Sequence, residues 1–253
     1  MARVHPLRLE LELVLAPVND SLLALGEAEL CARWGLSPAE AARGAAFVLP
    51  RARAEHASAR AVVRAELARR LRVEPAALAF ERGGHGRPRL AAPFHDADVD
   101  FNVAHSDGLV VCLLGPAGTP FGVDIERTTR PRDLQVASDF FAPAEVDALL
   151  ALAPSQRLRR FYELWTSKEA YIKARGLGLA IPLDSFRFSF TRERPQLTIE
   201  SGAPRLEDGS VDRGDAWSFQ HLDEGEHLIA VGVRADPGSL VIRRFTWPCD
   251  RAP

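Results

Sequence analysis

Lysine is almost missing from this 253-residue chain: of its 32 basic residues only Lys168 and Lys173 are lysine, and the rest are arginine. Cysteine is nearly as scarce. Cys31, Cys112 and Cys249 are an odd number without C-x-x-C spacing, so neither a disulfide framework nor a thiolate zinc site is indicated. No apolar run approaches the roughly 18–20 residues that span a bilayer. Arg8, Glu10 and Glu12 interrupt the stretch where a signal peptide needs unbroken apolar residues, so no membrane is expected and the cytoplasm is the expected location. Neither charge sign dominates. A formal net charge of −2 gives no electrostatic footprint for nucleic acid.

What is present belongs to an ordinary globular protein, with 47% hydrophobic and 26% charged residues. At roughly 150 residues per domain, the length suits one large fold or two modest ones. The only two tyrosines, Tyr162 and Tyr171, fall with both lysines and Trp165 in one stretch, FYELWTSKEAYIKARGLGL. Either the clustering is chance within one helix, or these side chains are needed there. An ammonium is a compact point charge and a guanidinium a planar fork, so retention of lysine in an arginine-rich chain favours the second reading.

Leu7, Leu9, Leu11 and Leu13 alternate with charged residues, the period of a half-buried strand. Ser37-Pro38-Ala39-Glu40 supplies a cap, a first-position proline and a carboxylate three residues on, which opens a helix that breaks near Pro50. Residues 53–72 form a second helix, with Ala57, Ala61, Leu67 and Leu71 inward and a basic outer face. After GGHGRP at 83–88, residues 99–103 and 109–114 read as strands joined by His105-Ser106-Asp107-Gly108. The Gly- and Pro-rich stretch at 115–120 marks a boundary near residue 119, giving halves 1–119 and 120–253. Beyond it come strand FGVDIE, helices at 144–152 and 156–175, and strands at 186–190, 217–220, 227–233 and 240–245, with loop and edge strand over 192–215. The fold class is α+β. Strands follow one another through short turns without a β-α-β rhythm, so antiparallel pairing is expected.

Asp124 and Glu126 lie two apart on a strand, so pleating points both carboxylates from one face. Such a pair either shares a hard cation such as Mg²⁺ or is a solvated face answering Arg127 and Arg130. Trp165, Glu169 and Lys173 are spaced four apart on one helical stripe, with Lys168 beside it. They either add a third acid and two cations to a phosphate-handling site or form an exposed surface pair. His105 and Ser106, at a strand end, both offer donors to an anion. Arg53, Arg60, Arg64 and Arg87 offer guanidinium forks for phosphate or are solvated arginines.

Taken together, F-N-V-A-H-S, then G-V-D-I-E, then W-T-S-K-E-A-Y-I-K-A-R-G-L-G resemble the signatures of the Sfp-type 4′-phosphopantetheinyl transferases, and G-R-P at 86–88 is similar to that family's G-K-P. The likeness runs from about Ser37 to Phe190. It implies two similar α+β halves in one chain with the active site between them, and a monomer. It implies transfer of the phosphopantetheine arm of coenzyme A to a serine of an apo acyl, peptidyl or aryl carrier protein, with Mg²⁺ and release of 3′,5′-ADP. Asp124, Glu126 and Glu169 match the metal ligands, and Glu169 the candidate base. Lys168 and Lys173 match lysines near the pyrophosphate, and His105 a histidine on a coenzyme phosphate, with Ser106 beside it. Arg53, Arg60 and Arg87 fall where nucleotide contacts are expected. Val103-Ala104 replaces the usual hydroxyl-bearing pair before the histidine, which loses one hydroxyl. Two other readings use the same residues: a docking module for carrier proteins without catalysis, and a metal-dependent phosphodiesterase. The first predicts a damaged acid set, and the second a wider basic surface than one helix provides.

Overall fold

The leucine alternation at the start of the chain becomes β1 (Leu9–Pro17), whose later residues Leu13 to Ala16 are all buried. The computed structural model describes residues 8–18, 29, 32, 34–191, 194–200, 203, 205–206, 209–236 and 240–247; Leu7, Cys31 and Cys249 lie outside them. The described residues fall into two compact units. One spans Leu11–Gly118 with residues from Ile242 onward, and the other Thr119–Val241 with the residues before Leu11.

In the first unit the capping box forms as read. Ser37 Oγ accepts from the Glu40 amide, and Glu40 Oε2 accepts from the Ser37 amide, opening α1 (Pro38–Ala45). The break expected near Pro50 falls over residues 46–49, and Pro50 itself is the first residue of the 22-residue α2 (Pro50–Leu71), where a proline gives up an amide that has no helical partner anyway. Short strands β2 (Phe80–Arg82) and β3 (Pro88–Leu90) pair around the glycine-rich turn. β4 (Asp100–Ser106) and β5 (Leu109–Gly115) form the expected hairpin. Asp107 and Gly108 both have positive φ, at 43° and 91°, as a tight two-residue hairpin turn requires. Val62, Val63 and Leu67 of α2 pack with Val14, Phe101, Val110 and Cys112 of the sheet into one core.

The second unit holds β6 (Phe121–Arg127), α3 (Gln135–Phe140), α4 (Pro143–Leu150) and the 22-residue α5 (Pro154–Arg175). A hairpin follows, β7 (Phe186–Thr191) with β8 (Arg194–Ile199), and then β9 (Ser218–Glu224) and β10 (His227–Val233). β10 lies between β6 and β9, antiparallel to both. Phe161, Tyr162, Leu164, Tyr171 and Ile172 of α5 sit in a core with Phe186, Trp217 and Leu228. The last strand, β11 (Leu240–Thr246), leaves sequence order: it lies beside β1 in the first unit's sheet, ordered β11-β1-β5-β4, not with the C-terminal half expected to contain it. The architecture is α+β with antiparallel pairing throughout the registered strands. No helix among the described residues is long and apolar enough to cross a membrane.

Candidate functional site

In the second unit one face of β6 carries Gly122, Asp124 and Glu126, spaced by two. Gly122 decides how near α5 approaches. A Cβ there would overlap the Ala170 carbonyl oxygen and stand 2.5 Å from the Ala174 amide nitrogen, so only hydrogen lets the helix backbone lie on the strand. That approach brings the helix stripe to the two strand carboxylates. Lys173 Nζ donates to Asp124 Oδ1 at 2.6 Å, and Arg132 stands 3.5 Å from Glu126. Burial pushes the Glu169 carboxyl up, the negative charge of Asp124 adds to this, Lys173 opposes it and Glu126 adds again. Three carboxylates and one ammonium therefore share an electrostatic neighbourhood. Gly122→Ala is expected to force α5 off β6 and lower stability by about 1–3 kcal/mol, the cost of overpacking, with a disproportionate loss of site function. A thermal melt read beside an activity assay checks it, and unchanged melting and activity would show that the helix tolerates the methyl.

The donor set is chemically suited to Mg²⁺, which takes oxygen ligands and few of them from protein. Closely spaced carboxylates whose charges oppose one another are what a divalent cation offsets. As the side chains stand, no three acidic, histidine or cysteine side chains among the described residues close on one point, and the Lys173 ammonium sits on Asp124.

Lys168 is a correction. It was expected near a pyrophosphate, yet it is fully buried on the core side of α5. Its Nζ donates to Glu145 at 2.7 Å and to the carbonyls of Leu183 at 2.7 Å and Phe186 at 2.8 Å, which uses all three donors. The Phe186 ring lies 4.4 Å from it and the Phe141 ring 5.1 Å. Burial pulls this ammonium down and pushes the Glu145 carboxyl up. Glu145 also accepts from the amides of Ala142 and Phe188. The pair is a buried structural strut, and its ammonium has no face toward solvent.

The first unit holds the other expected residues. His105, nearly half-exposed, places Nδ1 3.2 Å from Glu55 Oε2. Ser106 follows it at the strand end and is half-buried. Glu55 is buried and takes two further donors on Oε1, the Gly108 amide at 2.6 Å and Arg51 Nε at 3.3 Å. Burial pushes the Glu55 carboxyl up, but the hydrogen bonds from His105 and Gly108 and the charges of His105 and Arg51 leave it below the usual carboxylate range. Arg60 has a buried Nε without a hydrogen-bond partner. Burial pulls its guanidinium down, the charge of Glu40 resists, and Arg82 and Arg43 pull it down further.

The remaining arginines differ. Arg53 is exposed and donates to the Phe47 carbonyl at 3.1 Å. Arg87 is mostly buried, with Nη2 on Asp100 at 2.9 Å and the Phe101 carbonyl at 3.3 Å, so its fork is largely taken up inside its own unit. Arg64 corrects the expected basic outer face of α2: it is buried, bonded to Glu40 and to the carbonyls of Pro75 and Leu78. Sequence reasoning missed Gly122, Glu55 and Glu145. The first stood in plain view in G-V-D-I-E, whereas nothing local marks the other two.

A family model described as the 4′-phosphopantetheinyl transferase superfamily matches residues 120–232. The 4′-phosphopantetheinyl transferase HetI of Nostoc sp. is 34% identical over 213 residues, covering 84% of this chain and 80% of that one. A 4′-phosphopantetheinyl transferase of Bacillus subtilis is 37% identical over 125 residues, 49% of this chain and 53% of that one. The 4′-phosphopantetheinyl transferase Sfp of Bacillus subtilis strain 168 is 35% identical over 139 residues, 55% of this chain and 59% of that one. The alignments to both Bacillus proteins thus span little more than half of those relatives' length.

Proposed function

The chain belongs to the Sfp-type 4′-phosphopantetheinyl transferase family, and from that membership we propose that it transfers the phosphopantetheine arm of coenzyme A to a serine of an apo acyl, peptidyl or aryl carrier protein. The observation that carries the reading is the grouping of Asp124, Glu126, Glu169 and Lys173 on β6 and α5, inside the region that the family model matches.

In the proposed reaction the serine oxygen attacks the phosphorus that bears the pantetheine arm. The bond from that phosphorus to the nucleotide oxygen breaks, and 3′,5′-ADP leaves with the electron pair. Glu169 takes the serine proton; its carboxyl, held above the ordinary range, is a better acceptor than a solvated one. Lys173 supplies positive charge at the carboxylates where the pyrophosphate is handled. Asp124, Glu126 and Glu169 would hold Mg²⁺, which when bound offsets the negative charge of the pyrophosphate. His105, Ser106, Arg53 and Arg60 contact the nucleotide phosphates, and the buried Arg60 Nε without a hydrogen-bond partner supports this reading. Arg87 contributes to the same field while bound to Asp100. The exposed apolar Phe140 and Leu150, with Arg157 and Arg159 nearby in sequence, offer a surface for the carrier protein.

The test incubates the protein with Mg²⁺, coenzyme A and a panel of apo carrier proteins and reads each carrier's mass. A gain of one phosphopantetheine arm, abolished by a chelator and restored by added Mg²⁺, is expected. No gain with any carrier would overturn the reading, and a gain indifferent to chelation would remove the metal from it.

A further inference from the structure

We infer that Glu55 is a positioning residue for His105, fixing the imidazole so that Nε2 faces a phosphate of the coenzyme; this rests on the function proposed above. The geometry is a hub within the first unit. Glu55 lies on α2, buried, one turn beyond Arg51. Its Oε2 stands 3.2 Å from His105 Nδ1, while Oε1 takes the Gly108 amide at 2.6 Å and Arg51 Nε at 3.3 Å.

Each contact limits what the others can do. An ionised carboxylate only accepts, so the ring nitrogen facing it carries the proton. Nδ1–H is therefore spent on Glu55, and the ring's remaining nitrogen, Nε2, is the one left for a ligand. A protonated ring donates from Nε2 with positive charge, balanced by Glu55 on one side and a phosphate oxygen on the other. The same carboxylate caps the hairpin turn at Gly108, which ties the strand end carrying His105 to α2. Gly108 has φ of 91°, a left-handed conformation that favours glycine, which holds the turn in the shape that presents its amide to Glu55. Helix, hairpin and imidazole thus share one anchor. A carboxylate that accepts from one ring nitrogen in this way fixes the orientation and tautomer of a histidine whose other nitrogen meets a ligand.

Glu55→Gln isolates the effect, because the amide oxygen keeps the Gly108 cap while the amide no longer offers a carboxylate to Nδ1–H. Expected is a roughly tenfold rise in KM for coenzyme A with kcat within about twofold of wild type, the size of one charge-assisted hydrogen bond. In a His105→Ala background the same change should add less than about twofold, since sites that act through one another are not additive. Binding of 3′,5′-ADP by calorimetry should weaken in parallel. A wild-type enzyme that transfers normally while Glu55→Gln leaves KM unchanged overturns the inference alone. Additive losses in the double variant, or a fall in kcat and melting temperature with KM unchanged, assign Glu55 to the fold only and overturn it too. A wild type that neither transfers nor binds 3′,5′-ADP overturns the proposed function and this inference with it. Binding of 3′,5′-ADP without transfer sinks the catalytic reading, and a Glu55 effect on that binding still decides the positioning role.

Discussion

Replacing Glu169 with glutamine is expected to cut transfer from coenzyme A by about 10²–10⁴-fold, the range for removing a positioned proton acceptor, without lowering the stability of the metal-free protein. Both halves of that expectation come from one feature. Burial and the charges of Asp124 and Glu126 raise the energy of the Glu169 carboxylate. A group whose pKa in the folded state lies above its unfolded value costs stability when ionised, so at pH 7 the uncharged amide relieves that cost. The shape is unchanged, and Lys173 keeps its bond to Asp124. Melting without added metal should stay level or rise, while kcat collapses. A site that trades stability for chemistry behaves this way; a surface Glu–Lys pair, worth about 0.3–0.5 kcal/mol, does not. Transfer at the wild-type rate in Glu169→Gln would end its role as acceptor and ligand. Asp124→Ala gives the complementary result: partial rescue by raised Mg²⁺ would mark lost binding, and no rescue lost chemistry.

Much of this site was legible because it is written in two local periods. Asp124 and Glu126 share a face through the pleat, and Glu169 and Lys173 share a stripe through the helical turn. What the periods do not carry is the distance between strand and helix. That depends on Gly122 against Ala170 and Ala174, a tertiary contact whose one sequence trace is a glycine in the strand. The pairing of β11 with β1 joins the two ends of the described chain and has no local signal. The six-residue α3 is too short for a hydrophobic period to register, although the Asp133 side chain accepts from the Gln135 amide at its start. Glu55 carries no local signal: its partners His105 and Gly108 lie 50 and 53 residues away, and only Arg51 is near in sequence.

The arginine-rich composition drew attention to lysine, and the structure separates the two lysines by demand. Lys173 needs a flexible point charge at carboxylates; Lys168 needs a compact ammonium with three donors in a closed pocket. The pattern held a clue to the second. Lys168 falls on the stripe Phe161, Leu164, Tyr171 and Ile172, all buried, just as Arg64 falls on that of Ala57, Ala61, Leu67 and Ala68 in α2. A cation in an apolar stripe points inward and must find an acid there. Glu145 and Glu40 are those acids, each from the opening turn of a neighbouring helix.

Lys168→Met is therefore expected to destabilise the protein by about 3–5 kcal/mol, the cost of stranding a buried partner charge, and to leave KM for coenzyme A unchanged in whatever enzyme remains folded. Methionine fills the space of the lysine stem, so the loss comes from Glu145 more than from a cavity. The carboxylate keeps the Ala142 and Phe188 amides but loses the Lys168 ammonium, in a pocket of aromatic rings. The carbonyls of Leu183 and Phe186 lose their donor at the same time. Adding Glu145→Gln removes the stranded charge and should recover more than half of the stability, because replacing both members of a buried pair costs less than breaking it. Urea unfolding of the two variants beside wild type measures the first effect, and coenzyme A titration of the folded fraction the second. A phosphate-binding lysine predicts the reverse pattern, an unchanged unfolding midpoint with raised KM. That outcome would return Lys168 to the coenzyme and require α5 to turn a side chain out of its core, against five contacts that now hold it there.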